Sequence, residues 1–135
     1  MIDKQIASIK LLKLRQQEKL ELELTKTKQH IVTVNNLIQS LEDQREDNQQ
    51  HKSSYITSFY GNLRKITKFA SNVFYELESE MAKFNITHND IEQEIADKIE
   101  ELETLQQQTE QLQQELKKII VKLEKYQFIS DSLII

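Results

Sequence analysis

The chain has 135 residues and a net charge of -4, with 38% apolar and 30% charged side chains. One glycine, no proline, no tryptophan and no cysteine exclude disulfides, thiolate metal sites and the turn punctuation of a compact domain of many elements. The mild acidity argues against nucleic acid as a partner, because that task needs a concentrated basic surface; what remains is the composition of long helices whose surface outweighs their interior.

The first segment, "MIDKQIASIKLLKLR", mixes Lys10, Lys13 and Arg15 into its apolar residues instead of placing them ahead of an apolar run. It therefore reads as neither a signal peptide nor a membrane span, and no run of about 18 apolar residues occurs elsewhere. A cytoplasmic protein without direct membrane insertion is the expectation. Ile2, Ile6 and Ile9, then Leu20, Leu24, Thr27, Ile31, Val34, Ile38 and Leu41 recur at helical spacing, with a phase slip between Arg15 and Glu18. These predict a first helix over about residues 2–58.

The stretch "REDNQQHKSS" after Gln44 has no apolar residue, and the only glycine follows it in "FYGNLRK". Gly and Asn favour left-handed backbone, so a reversal is predicted within 48–63, preferably at Gly61-Asn62. A second helix over about 63–130 carries Leu63, Thr67, Ala70, Phe74, Leu77, Met81 and Phe84 in alternating steps of three and four. Beyond a predicted weak point at "NITHND" the rhythm resumes through Ile91, Ile95, Lys98, Leu102, Leu105, Thr109, Leu112, Leu116, Ile119, Leu123 and Tyr126. Such a narrow stripe is a coiled-coil seam.

The expected fold is all-α, a long antiparallel two-helix coiled-coil hairpin forming a single domain over 1–135. The rival is an elongated three-helix bundle broken at both 48–54 and 85–90. A turn at Gly61 places residue i opposite roughly residue 125 minus i, which sets the basic segment 10–28 against the acidic segment 97–115. In that reading charge selects the antiparallel register, each exposed pair contributing only about 0 to 1 kcal/mol.

Candidate chemistry is sparse. His30, His51 and His88 are scattered, and only His88 with Glu92 has the i, i+4 spacing of two ligands on one helix face. The carboxylates of Asp90 to Glu103 recur around a helix instead of converging on a cation. A two-helix fold has no concave site in which to desolvate an acid or a base. The reading is a protein that is not an enzyme and has no cofactor and no metal.

Two apolar surpluses point to partners instead. Residues 55–77 carry apolar side chains in two helical phases, of which a hairpin covers one; Phe59, Phe69, Phe74 and Leu77 are candidates for either a thick tip packed on itself or a docking face. At the chain ends Ile2, Ile6 and Ile9 would meet Leu133, Ile134 and Ile135, an unusually aliphatic grouping where fraying ends are ordinarily polar.

"IASIKLLKLRQQEKLELELTKTKQ", Ile6 to Gln29, resembles the opening of the FliJ/YscO family of type III secretion and flagellar export, whose members run from an apolar-basic segment into a charged coiled coil. Length, lack of cysteine and two long helices are similar across nearly the whole chain. The resemblance implies a non-enzymatic stalk, monomeric when alone and peripheral to a membrane-embedded apparatus. Such a stalk links a hexameric secretion ATPase to the export-gate protein and escorts secretion chaperones. The apolar C-terminus and Gln-rich second helix depart from many members, whose ends are more charged. The competing expectation is a structural or tethering coiled coil that self-associates through its seam.

Overall fold

The computed structural model describes residues 2–64 and 72–134, with side chains for 2–64 and 73–133. Two helices account for almost all of it: α1, Ile2–Leu63, and α2, Asn72–Ile134, of 62 and 63 residues. They pack against each other as an antiparallel hairpin, and no strand occurs among the described residues. The three-helix alternative is ruled out, because α1 passes through 48–54 and α2 through 85–90 without a break.

The predicted turn is corrected. Gly61 lies inside α1 with no positive φ, and the helix closes only at Arg64, whose N–H donates to the Tyr60 carbonyl at 3.3 Å. The reversal lies beyond 48–63, and α2 begins at Asn72 instead of residue 63. A lone glycine costs a helix only about 1 kcal/mol relative to alanine, too little to end one that is packed along its length.

The chain divides into two compact units. A flanking unit comprises Met1–Thr33 with Leu102–Ile135, and a central unit comprises Val34–Glu101. In the central unit the inward positions of α1 are Val34, Ile38, Leu41, Arg45, Asn48, Lys52, Tyr55 and Phe59, alternating steps of four and three without a fault. Leu41 packs with Ile91 and Ile95 of α2 as a buried cluster, and Val34 is fully covered. Each such side chain contributes roughly 1.5 to 3 kcal/mol when fully buried.

In the flanking unit the inward positions are Ile6, Lys10, Lys13, Gln17, Leu20, Leu24, Thr27 and Ile31, facing Leu105, Thr109, Leu112, Leu116, Ile119, Leu123 and Tyr126. The expected phase slip at Arg15 to Glu18 does not occur, because Lys10, Lys13 and Gln17 hold the seam with their methylene stems. Thr27 and Thr109 fit the seam by donating their hydroxyls to the Glu23 and Leu105 carbonyls, both at 2.9 Å. Leu105 is the one buried residue of this unit among those described.

Register is also corrected. In the flanking unit Lys10 donates to Gln127; in the central unit Arg45 meets Glu92 and Lys52 meets Asn85, so facing residues number to 137 in each case and not to about 125. The basic segment 10–28 consequently faces 109–127, which itself holds Lys117, Lys118, Lys122 and Lys125. The opposition to acidic 97–115 is overturned. Pairing of the basic 10–28 segment with acidic 97–115 does not select this register; the cross-seam partners of Arg45, Asn48 and Lys52 are what mark it.

Candidate interaction surfaces

The stretch read as a turn signal builds a polar layer in the seam of the central unit. Arg45 and Glu92 form a 2.7 Å ion pair, with His88 Nε2 at 3.9 Å from the same carboxylate oxygen. Asn48 Nδ2 donates to the Phe84 carbonyl at 3.1 Å, and Lys52 Nζ donates to Asn85 Oδ1 at 3.2 Å. The Arg45 hydrogen bond, with its charge, holds the Glu92 carboxyl below the usual range, and the same contact raises the Arg45 guanidinium. Each polar residue at a seam position has a partner, so the helices stay paired through a stretch with little to bury.

Toward the reversal, rings replace polar groups. Tyr55 stacks on Phe59 at 6.4 Å and meets Phe84 at 6.1 Å, and Phe59 makes edge contacts with Tyr60 at 5.7 Å and Phe74 at 6.4 Å. Burial, with the charges of Glu76 and Glu80, raises the Tyr55 pKa above its ordinary value. A cavity of about 290 Å³ opens beside these rings, lined by Tyr55, Ser58, Phe59, Asn62, Leu63, Val73 and Glu76.

The two apolar phases expected for 55–77 do not separate into one covered face and one free face. Phe59 and Leu77 are half-buried and Phe74 is exposed, as are Tyr60 and, at 71%, Tyr75. Phe69 lies outside the described residues. Of the residues expected at the joined ends, Ile2, Ile9 and Leu133 are exposed and Ile6 is half-buried. The Ile134 side chain and Ile135 lie outside the described ones.

The flanking unit also exposes apolar side chains that periodicity alone did not single out. Leu11, Leu12, Leu14 and Leu22 stand on the outer side of α1, and Val121 and Phe128 on the outer side of α2. Their signal was present in the sequence as apolar residues between seam positions. For Leu11 and Leu14, sorting inner from outer required the continuous seam through Lys10, Lys13 and Gln17. Among the described residues no helix is long and apolar enough to cross a membrane, and no three His, Asp or Glu side chains are placed to hold a metal.

No family model, characterised protein or solved structure matches this chain.

Proposed function

We propose that the protein is a non-enzymatic coiled-coil stalk that works by holding partners rather than by chemistry. The observation that supports this reading most is the distribution of apolar residues in the flanking unit. Leu11, Leu12, Leu14 and Leu22 face away from the seam on α1, while Val121 and Phe128 face away from it on α2. Exposed apolar surface on both outer sides suits a partner that encloses the helix pair.

The similarity of Ile6 to Gln29 to the FliJ/YscO family makes that partner a hexameric secretion ATPase. The aromatic group of the central unit, with Tyr60, Phe74 and Tyr75 outward, is then the surface offered to the export gate or a secretion chaperone. In this reading the protein is cytoplasmic and peripheral to the secretion apparatus.

The test is co-purification with the secretion ATPase and gate protein encoded beside it, using the whole chain and a variant carrying Leu11→Asp and Leu14→Asp. Retention of the ATPase by the parent chain and its loss in the variant, with circular dichroism still helical, supports the stalk reading. Failure of the parent chain to retain the ATPase, or equal retention by the variant, overturns it.

A further inference from the structure

Among the described residues three cations meet a carboxylate: Lys83 meets Glu80, Lys98 meets Glu101 and Arg45 meets Glu92. Lys117, Lys118 and Lys122 are among the lysines that have no such partner. Among the described residues no carboxylate lies within 4 Å of any of the three, and Lys118 and Lys122 stand at i, i+4, where like charges repel on a helix. With Gln114 and Val121 they line a shallow groove of about 430 Å³ on the outer side of α2. Val121 is 56% exposed, and Phe128, one heptad further along the same side, is 73% exposed. This stripe combines two apolar anchors with an unanswered positive charge.

The complementary stripe exists on the same chain. In the central unit Ile86 is 61% exposed, and Asp90 and Asp97, four and eleven residues on, share its side of the helix. Asp97 accepts a hydrogen bond from the neutral Gln93 amide at 2.9 Å, and neither aspartate has a cation within 4 Å among the described residues. The contrast extends to the whole units. The flanking unit has eleven basic and nine acidic residues, for a net charge of +2, and the central unit has seven and thirteen, for a net charge of -6.

We propose that the Val121–Phe128 stripe of one copy receives the Ile86–Asp90–Asp97 stripe of a second copy, so that the protein self-associates through outer faces while its seam stays internal. Each copy offers both surfaces, so the contact either closes reciprocally as a two-fold dimer or repeats head to tail. Charge complementarity sets orientation and makes the contact salt-sensitive. An anionic lipid surface fits the stripe less well. Glu124 sits between Val121 and Phe128 on that side, and a Val with a Phe offers fewer apolar carbons than a single fatty-acyl chain, which alone gives only marginal membrane binding. The proposal rests on these faces and charges and not on the stalk reading.

Sedimentation velocity of the full chain over a range of concentrations, at about 0.05 M and about 0.5 M salt, tests it. Association at low salt, weakened at least tenfold at high salt, is expected. A variant with Lys118→Glu and Lys122→Glu, and another with Asp90→Lys and Asp97→Lys, should each be monomeric, and mixing the two should restore association, since each then offers what the other lacks.

A parent chain that stays monomeric at every concentration overturns the proposal. So does association that is indifferent to salt and to both variants, which would place it in the seam. So does a parent chain that binds phosphatidylserine vesicles without self-associating and loses that binding with Val121→Glu and Phe128→Glu, which would make the stripe a lipid contact.

Discussion

The central and flanking units are made from the same two helices, yet they divide their apolar residues differently between core and surface. The central unit holds Val34, Leu41, Ile91 and Ile95, four of the five buried apolar residues described, and tolerates a polar layer of Arg45, Asn48 and Lys52 between them and the aromatic group. The flanking unit buries only Leu105 among the described residues, fills seam positions with Lys10, Lys13 and Gln17, and turns Leu11, Leu14, Leu22, Val121 and Phe128 outward. A helix pair covers one stripe per helix, so apolar residues beyond that stripe add nothing to its core. Where they recur, as in the flanking unit, they are surface. The central unit holds most of the buried apolar residues described, and the flanking unit more of the exposed ones.

The largest expected effect tests that division. Ile95→Ala removes a side chain from the buried cluster with Leu41 and Ile91 and should cost about 2 to 5 kcal/mol, whereas Leu14→Ala on the outer side of the flanking unit should stay within about 0.5 kcal/mol. Thermal unfolding followed by circular dichroism measures both. Equal losses would erase the distinction between the units.

A smaller change of opposite sign comes from Gly61. It is helical, has no positive φ, and an added Cβ would meet nothing within 4 Å, so Gly61→Ala should stabilise by about 0.5 to 1 kcal/mol. A loss of stability in urea titration would mean that the position needs glycine's conformational freedom and that α1 does not run through it.

The smallest effect lies in the polar layer and appears as a pH dependence. Arg45 depresses the Glu92 pKa in the folded protein below its ordinary value of 4.5. A depressed carboxylate pKa stabilises the folded state fully above the unfolded value, and that contribution is lost as pH falls through the folded one. Glu92→Gln should therefore leave the acid limb of the stability profile shallower below about pH 4.5. Because the pair is partly solvent-exposed, salt should shrink the difference between the two proteins. Identical acid limbs at low salt would show that Glu92 contributes nothing to the pairing of the helices.

Much of the fold was legible in the sequence, for a simple reason. Steps of three and four from Leu20 to Leu41 and from Ile91 to Tyr126 demand helices with one apolar stripe each, and a chain without proline has nothing to interrupt them. The candidate surfaces were legible only in part. Ile2, Ile9, Phe74 and Leu133 read as surplus apolar residues and are exposed. Leu22, Val121 and Phe128 already fell between seam positions read from the sequence, whereas Leu11 and Leu14 could not be told from core until the seam was known to run through Lys10, Lys13 and Gln17.

The sequence by itself determined two seamed helices and their antiparallel return. Tertiary structure alone decided where the chain reverses and which residues face each other. A heptad seam is nearly blind to sliding by whole repeats, so the same apolar pattern accommodates a turn at Gly61 or one beyond Leu63. Composition suggested the former, because "REDNQQHKSS" has nothing apolar to bury. Packing imposed the latter, because Arg45, Asn48 and Lys52 found Glu92, the Phe84 carbonyl and Asn85 across the seam. With those partners in place a polar stretch continues the helix instead of ending it, and the register that follows sets the basic segment 10–28 opposite a segment holding Lys117, Lys118 and Lys122.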